Sequence, residues 1–151
     1  MRQLLYTMHF RGQTAPAASE KQVLHTAGSA ASCLVRSLVG SAGLETEVTP
    51  EDGGLAFLES DLRTTSANGF REEGAITFGD EGEHLLRFST VGEGHIAPGP
   101  APGVMAGGAT WKVESGEGQF SNASGFIATA FTLNDAGERC DYHCGLIFLP
   151  E

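Results

Sequence analysis

Only a few residues of this chain combine a reactive side chain with a position where it could act. Glu72 alternates in phase with Phe70, Ile76 and Phe78, so on a strand all four side chains share one face. A carboxylate among those apolar neighbours is penalised in its charged form, rises in pKa, and can work as a general acid or base near neutrality. If it stays ionised it can instead stabilise a developing cation. The alternative is a solvated rim position beside Arg71 and Glu73. His84 is in phase with Leu86 and Phe88 and follows the turn signal Gly79–Gly82; it is either a proton shuttle or a surface histidine at a strand end. Tyr6 shares a face with Leu4, Met8 and Phe10. Its phenol could donate to a substrate carbonyl, or pack in the core with the hydroxyl bonded elsewhere. Arg36 alternates with Leu34 and Leu38 and could clamp a carboxylate through its two-pronged guanidinium. Glu72, Tyr6 and His84 are therefore the candidate catalytic residues. Arg36, Met8, Phe70, Phe88 and Trp111 are the candidate substrate-binding residues, with the last four as apolar walls.

Cys140-Asp141-Tyr142-His143-Cys144 resembles a zinc-ligand run in composition but not in geometry. On a strand Cys140 and Cys144 face one way while Asp141 and His143 face the other, and no paired Cys-x-x-Cys knuckle supplies the remaining ligands. The same separation rules out a Cys–His nucleophile pair, and the cysteines read as small buried hydrophobes. No metal and no cofactor is expected. Glu59, Asp61 and Arg63 alternate after Leu55 and Phe57, as on an outer, solvated strand face.

These residues must be held by strands. Turn signals recur at Gly12, Gly40–Gly43, Asp52-Gly53-Gly54, Asn68-Gly69, Gly79–Gly82, Gly116–Gly118 and Asn134–Gly137. Between them lie short segments of β-like alternation, the spacing of a sandwich or barrel. Pro98–Gly103 cannot continue a ladder and reads as a surface loop at a rim. Ser19–Leu38 is open: Val23, Leu24, Ala27, Ala31, Leu34, Val35 and Leu38 fit helical spacing with Ser19 as cap, while Gly28 and the β-branched content favour two short strands. The segment Cys140–Leu149 is apolar on both faces at its end, as in a strand covered on both sides. Seven or eight sequential strands favour an antiparallel sheet that closes, because closure removes exposed edges. About eight strands enclose room for side chains or one small ligand.

At 151 residues the chain is expected to form a single β-barrel domain over residues 1–151, since a domain takes roughly 100–200 residues. Its 9 Lys and Arg against 19 Asp and Glu leave a net charge of −10, and the cations are scattered. That distribution excludes nucleic acid and anionic membranes as partners, both of which need a focused basic face. No segment reaches the roughly 18 apolar residues of a spanning helix. Gln3, Thr7 and His9 interrupt the first segment, so no signal peptide is read there and a cytoplasmic location is expected.

Gly107–Val113 (GGATWKV), the run Gly116–Gly125 (GEGQFSNASG) and the closing strand GLIFLP together resemble the small β-barrels of the allene oxide cyclase-like group. The resemblance covers about Gly74–Leu149. In those barrels a similar glycine-punctuated turn joins two late strands, with Phe and Ala packed beneath it. Here Gly116, Gly118 and Gly125 would allow positive φ and close backbone approach, and Phe120 and Ala123 would plug the barrel end. The fold so implied is all-β: a small antiparallel closed barrel of about eight strands, allene oxide cyclase- or lipocalin-like. The function implied is a cofactor-independent isomerase or cyclase acting on a small, largely apolar metabolite, held in a reactive conformation by the cavity. One alternative is a non-enzymatic, lipocalin-like carrier of a small apolar organic ligand. Another is an interaction protein with a filled barrel, forming a homodimer through an apolar outer face.

Overall fold

Nine strands follow one another along the chain in the computed structural model, which describes residues 1–20 and 22–151. They are β1 (Arg2–Pro16), β2 (Val23–Gly40), β3 (Gly43–Thr64), β4 (Gly69–Phe78), β5 (His84–Thr90), β6 (Gly94–Pro98), β7 (Val104–Glu117), β8 (Ser124–Asn134) and β9 (Glu138–Leu149). Every pairing is antiparallel. β1 pairs with both β2 and β9, β8 joins β9 to β7, and β3 pairs with β4, so the sheet closes in a ring. β5 and β6 share one place in that ring: β5 covers Glu73–Phe78 of β4, and β6 covers Gly69 and Phe70. Both then pair with β7. No helix among the described residues is long and apolar enough to cross a membrane.

The alternation read from the sequence holds along most strands. Leu58, Ile76, Leu86, Phe88, Trp111, Ile127 and Ile147 all point inward and are buried, as a closed sheet with one covered face requires. Three expectations need correction. The stretch Ser19–Leu38 is neither a helix nor two strands; from Val23 it is one long strand, and Lys21 lies outside the described residues. Its helical periodicity loses to pairing on both edges, with β1 and β3. Asp52-Gly53-Gly54 is not a turn, because β3 runs through it. There the register slips, with Ala31 opposite Leu55 but Cys33 opposite Pro50, and Ser32 Oγ donates to the Gly54 carbonyl at 2.7 Å. Gly12 is not a turn either: it faces Gly28, where β1 and β2 approach so closely that a Cβ on either would overlap the other backbone.

The turn from β7 to β8 does what its glycines suggested. A 3-10 turn at Gly118–Phe120 sets Phe120 and Ala123 into the end of the ring as buried plugs. Gly118 and Gly125 have positive φ, 62° and 139°. Gly116 does not; its role is close approach to the Phe120 backbone.

The interior is layered. At one end Phe10, Leu58, Ile76, Leu86, Phe88, Trp111 and Ile127 form the main apolar cluster. At the other end Leu62, Phe70 and Phe131 form a smaller one. Between them lies a buried polar layer that includes Thr26, Ser60, Glu72, Thr129, Arg139 and Asp141.

Candidate functional site: a buried ion layer below an apolar mouth

Glu72 faces inward and is 2% exposed, as its phase with Phe70 and Ile76 indicated. It is not an isolated carboxylate, however. Arg139, on the facing wall, donates from Nη1 to Glu72 Oε2 at 2.7 Å and from Nη2 to Oε1 at 3.1 Å. Ser60 Oγ adds a third bond to Oε2 at 2.7 Å. The strand beneath is tied too, since Thr90 Oγ1 accepts from Glu72 N and donates to its carbonyl. Both carboxylate oxygens are thus occupied by a bidentate, charge-assisted partner. The geometry leaves no free oxygen to exchange a proton with a substrate.

Arg139 continues the network, donating from Nη2 to Asp141 Oδ2 at 2.7 Å, while its guanidinium lies 4.2 Å from the Phe131 ring centre. Asp141 also accepts from Thr129 Oγ1. His143 Nε2 lies 3.2 Å from Asp141 Oδ1, close but too poorly aligned for a hydrogen bond. Burial alone would push the Asp141 carboxyl up; His143, Arg139 and Thr129 outweigh it and hold the group below its ordinary range. Burial works against the Arg139 cation, but Glu72 and Asp141 overcome it and raise its pKa.

Arg139, Asp141 and His143 were missed as interior residues. The signal was present: they alternate in phase with Gly145, Ile147 and Leu149, all buried. Because Leu146 and Phe148 make the other face equally apolar, strand parity pointed neither way. The cysteines accordingly face outward, with Cys140 partly buried and Cys144 exposed, not buried as small hydrophobes. Among the described residues no group of three or more His, Cys, Asp or Glu is arranged to hold a metal ion.

Above this layer the ring opens into a cavity of about 410 Å³ lined mainly by Leu4, Tyr6, Met8, Ala56, Phe78 and Phe120. Tyr6 is placed there by Gly145, which faces it across the β1–β9 pair; a Cβ at 145 would overlap the ring. Phe78 meets the Tyr6 ring edge-on at 5.8 Å. The phenol oxygen is buried and has no hydrogen-bond partner among the described residues. Burial, reinforced by Cys144 and Asp141, pushes the Tyr6 phenol up, so it remains a protonated donor across the physiological range. A larger groove of about 700 Å³ runs over the outer wall past Glu59, Asp61, Arg71, Glu73 and Arg87. It is a solvated charged surface, as the alternation of Glu59, Asp61 and Arg63 indicated.

The candidate residues therefore separate. Tyr6 and Met8 meet at the cavity. Phe88 and Trp111 stack on each other at 3.8 Å and Phe70 packs on Phe131 at 5.7 Å, so these three fill the interior and do not line the cavity. His84 is exposed at the start of β5, where its Nδ1 accepts the Gln119 amide at 3.0 Å. Arg36 is exposed on an extension of β2 opposite Glu47 and lines neither the mouth cavity nor the outer groove. Its alternation with Leu34 and Leu38 reflects a strand that has already left the ring.

No family model matches the chain, and no curated protein matches it. Among solved structures, a pterocarpan synthase dirigent protein aligns over 99% of this chain and 92% of its own, with 11% identity and a TM-score of 0.32. A likeness of that size carries neither fold detail nor activity to this chain.

Proposed function

We propose that this protein binds a small, largely apolar organic molecule in the mouth cavity and fixes its orientation with one hydrogen bond from Tyr6. The buried phenol, without a hydrogen-bond partner among the described residues, in a mainly apolar lining whose other polar side chains are Ser32 and Gln119, carries this reading. A buried donor without an acceptor costs about 1–3 kcal/mol, and an acceptor oxygen on a guest removes that cost. The volume suits a small ligand, at the lower part of the range of about 300–1,000 Å³ for such sites. The lining holds no cation, and Asp141 already influences the phenol, so a neutral carbonyl or ether oxygen fits better than a carboxylate.

A second reading, a cofactor-independent isomerase or cyclase of the allene oxide cyclase-like kind, is favoured by one observation. The donor that would polarise a substrate carbonyl lies within electrostatic reach of the buried Asp141, which Arg139 and Thr129 hold in place. In that reading Tyr6 polarises the substrate and the ion layer fixes the field around it; Glu72 positions Arg139 and transfers no proton.

Paired probes test the binding. 2-Acetylnaphthalene carries a ketone oxygen, and 2-ethylnaphthalene lacks it. Tyr6→Phe is expected to weaken 2-acetylnaphthalene about tenfold in calorimetric titration, the value of one hydrogen bond, and to leave 2-ethylnaphthalene unchanged. Equal weakening of both would assign Tyr6 a packing role only. Absence of binding by either, with no NMR shift at Met8 or Phe78, would refute the site.

A further inference from the structure

The ring is incomplete along one seam. β1 pairs with β2 from Arg11 opposite Ser29 to Pro16 opposite Leu24, so among the described residues Arg2–Phe10 has a strand partner in β9 alone. The Thr14 amide donates to Gly137 on the β9 side. Backbone groups alternate sides along an antiparallel strand, so Gln3, Leu5, Thr7 and His9 turn their amides and carbonyls toward the open seam. The Cys33 thiol reaches the Thr7 carbonyl at 3.8 Å, a weak contact that completes no ladder.

Past that point β2 and β3 leave the ring as a two-stranded ribbon, Cys33–Gly40 against Gly43–Pro50. Val39 lies opposite Leu44 and Val35 opposite Val48 on one face. Val39 is 82% exposed and Leu44 67%. A lone two-stranded ribbon is marginally stable, and one with an apolar face calls for a cover. Its charges indicate which cover. The ribbon carries Glu45 and Glu47 against the single cation Arg36, whereas the charged side chains of β1 are Arg2 and Arg11. Among the described residues none of these five makes an ion pair within the chain. In a chain of net charge −10, this basic, open-edged strand is the surface where an acidic strand would settle.

We propose that the outer edge of the ribbon, Gly43–Thr49, adds as a strand to the open edge Gln3–His9 of a second copy, with the reciprocal contact closing a two-fold dimer. The two segments match in length, both edges are unpaired among the described residues, and Glu45 and Glu47 within one are opposite in charge to Arg2 and Arg11 flanking the other. Strand addition satisfies the seam amides, and a two-fold axis makes the contact self-complementary.

Sedimentation velocity across concentrations up to about 100 μM tests this, a range that captures micromolar association. The unaltered chain is expected to dimerise. Val39→Glu with Leu44→Glu should raise the dimer dissociation constant at least about tenfold, and Trp111 fluorescence should be unchanged because both sites are exposed. Arg11→Glu should weaken the dimer, and adding Glu45→Arg and Glu47→Arg should restore it. A monomer throughout the range overturns the inference, as does a dimer indifferent to the ribbon changes or a charge exchange that fails to restore association.

Discussion

At the residue scale, Arg139 is the side chain on which the interior depends. It is the cation between two buried carboxylates, Glu72 and Asp141. Removing one member of a buried ion group leaves uncompensated charge, so Arg139→Met should destabilise by about 3–5 kcal/mol. Replacing the whole group by Glu72→Leu, Arg139→Met and Asp141→Leu together should cost far less, since no orphan charge remains. The urea midpoint followed by fluorescence of Trp111, the chain's single tryptophan, distinguishes these outcomes; equal losses would show that the layer contributes net attraction. The pH dependence follows from the same site. Asp141 is held below its ordinary range in the folded chain, whereas in the unfolded chain it titrates near about 3.9. As pH falls through that value the unfolded chain binds a proton that the folded chain does not, so stability is present above about pH 4 and is lost below it. Asp141→Asn should flatten this acid limb of the urea-midpoint profile.

At the scale of elements, the strands with a polar outer face were legible. Phe70, Glu72, Ile76 and Phe78 alternate against exposed Arg71 and Glu73, so the shared face was legible, and of the two positions open for Glu72, inward or at a solvated rim, the structure shows the inward one. β9 was not legible in its parity, because two apolar faces erase the period that distinguishes inside from outside, and Arg139 went unnoticed with it. The β7–β8 turn was legible because its glycines answer a backbone requirement that no packing can override. Gly125 has a φ of 139° and sits against the Leu146 carbonyl. Gly125→Ala should therefore cost at least about 1–3 kcal/mol. Gly40→Ala, at a position with no positive φ and open space around it, should stay within about 0.5 kcal/mol. Thermal melts of the two variants check the contrast; similar losses would mean that the turn relaxes around the added methyl.

For the molecule as a whole, closure of the sheet was legible from turn spacing and alternation, but its contents were not. Whether a ring is hollow depends on side-chain volumes meeting from strands far apart in sequence. Phe88 on Trp111 and Arg139 on Phe131 fill the middle, while the mouth keeps a cavity. The half-open seam was equally hidden, since β1 alternates the same way along its paired and unpaired halves. Amide exchange read by NMR makes the seam visible one residue at a time. In dilute solution Leu4, Tyr6 and Met8, whose amides face β9, should be protected, while Gln3, Leu5, Thr7 and His9 exchange rapidly. Raising the concentration should slow the odd-numbered set in the unaltered chain, but not in the Val39→Glu, Leu44→Glu variant. Because the two sets interleave along one strand, fraying of β1 from its end cannot produce this pattern. Protection of the odd-numbered amides at the lowest concentration would mean that β2 closes the seam within one chain, leaving the ribbon no edge to join.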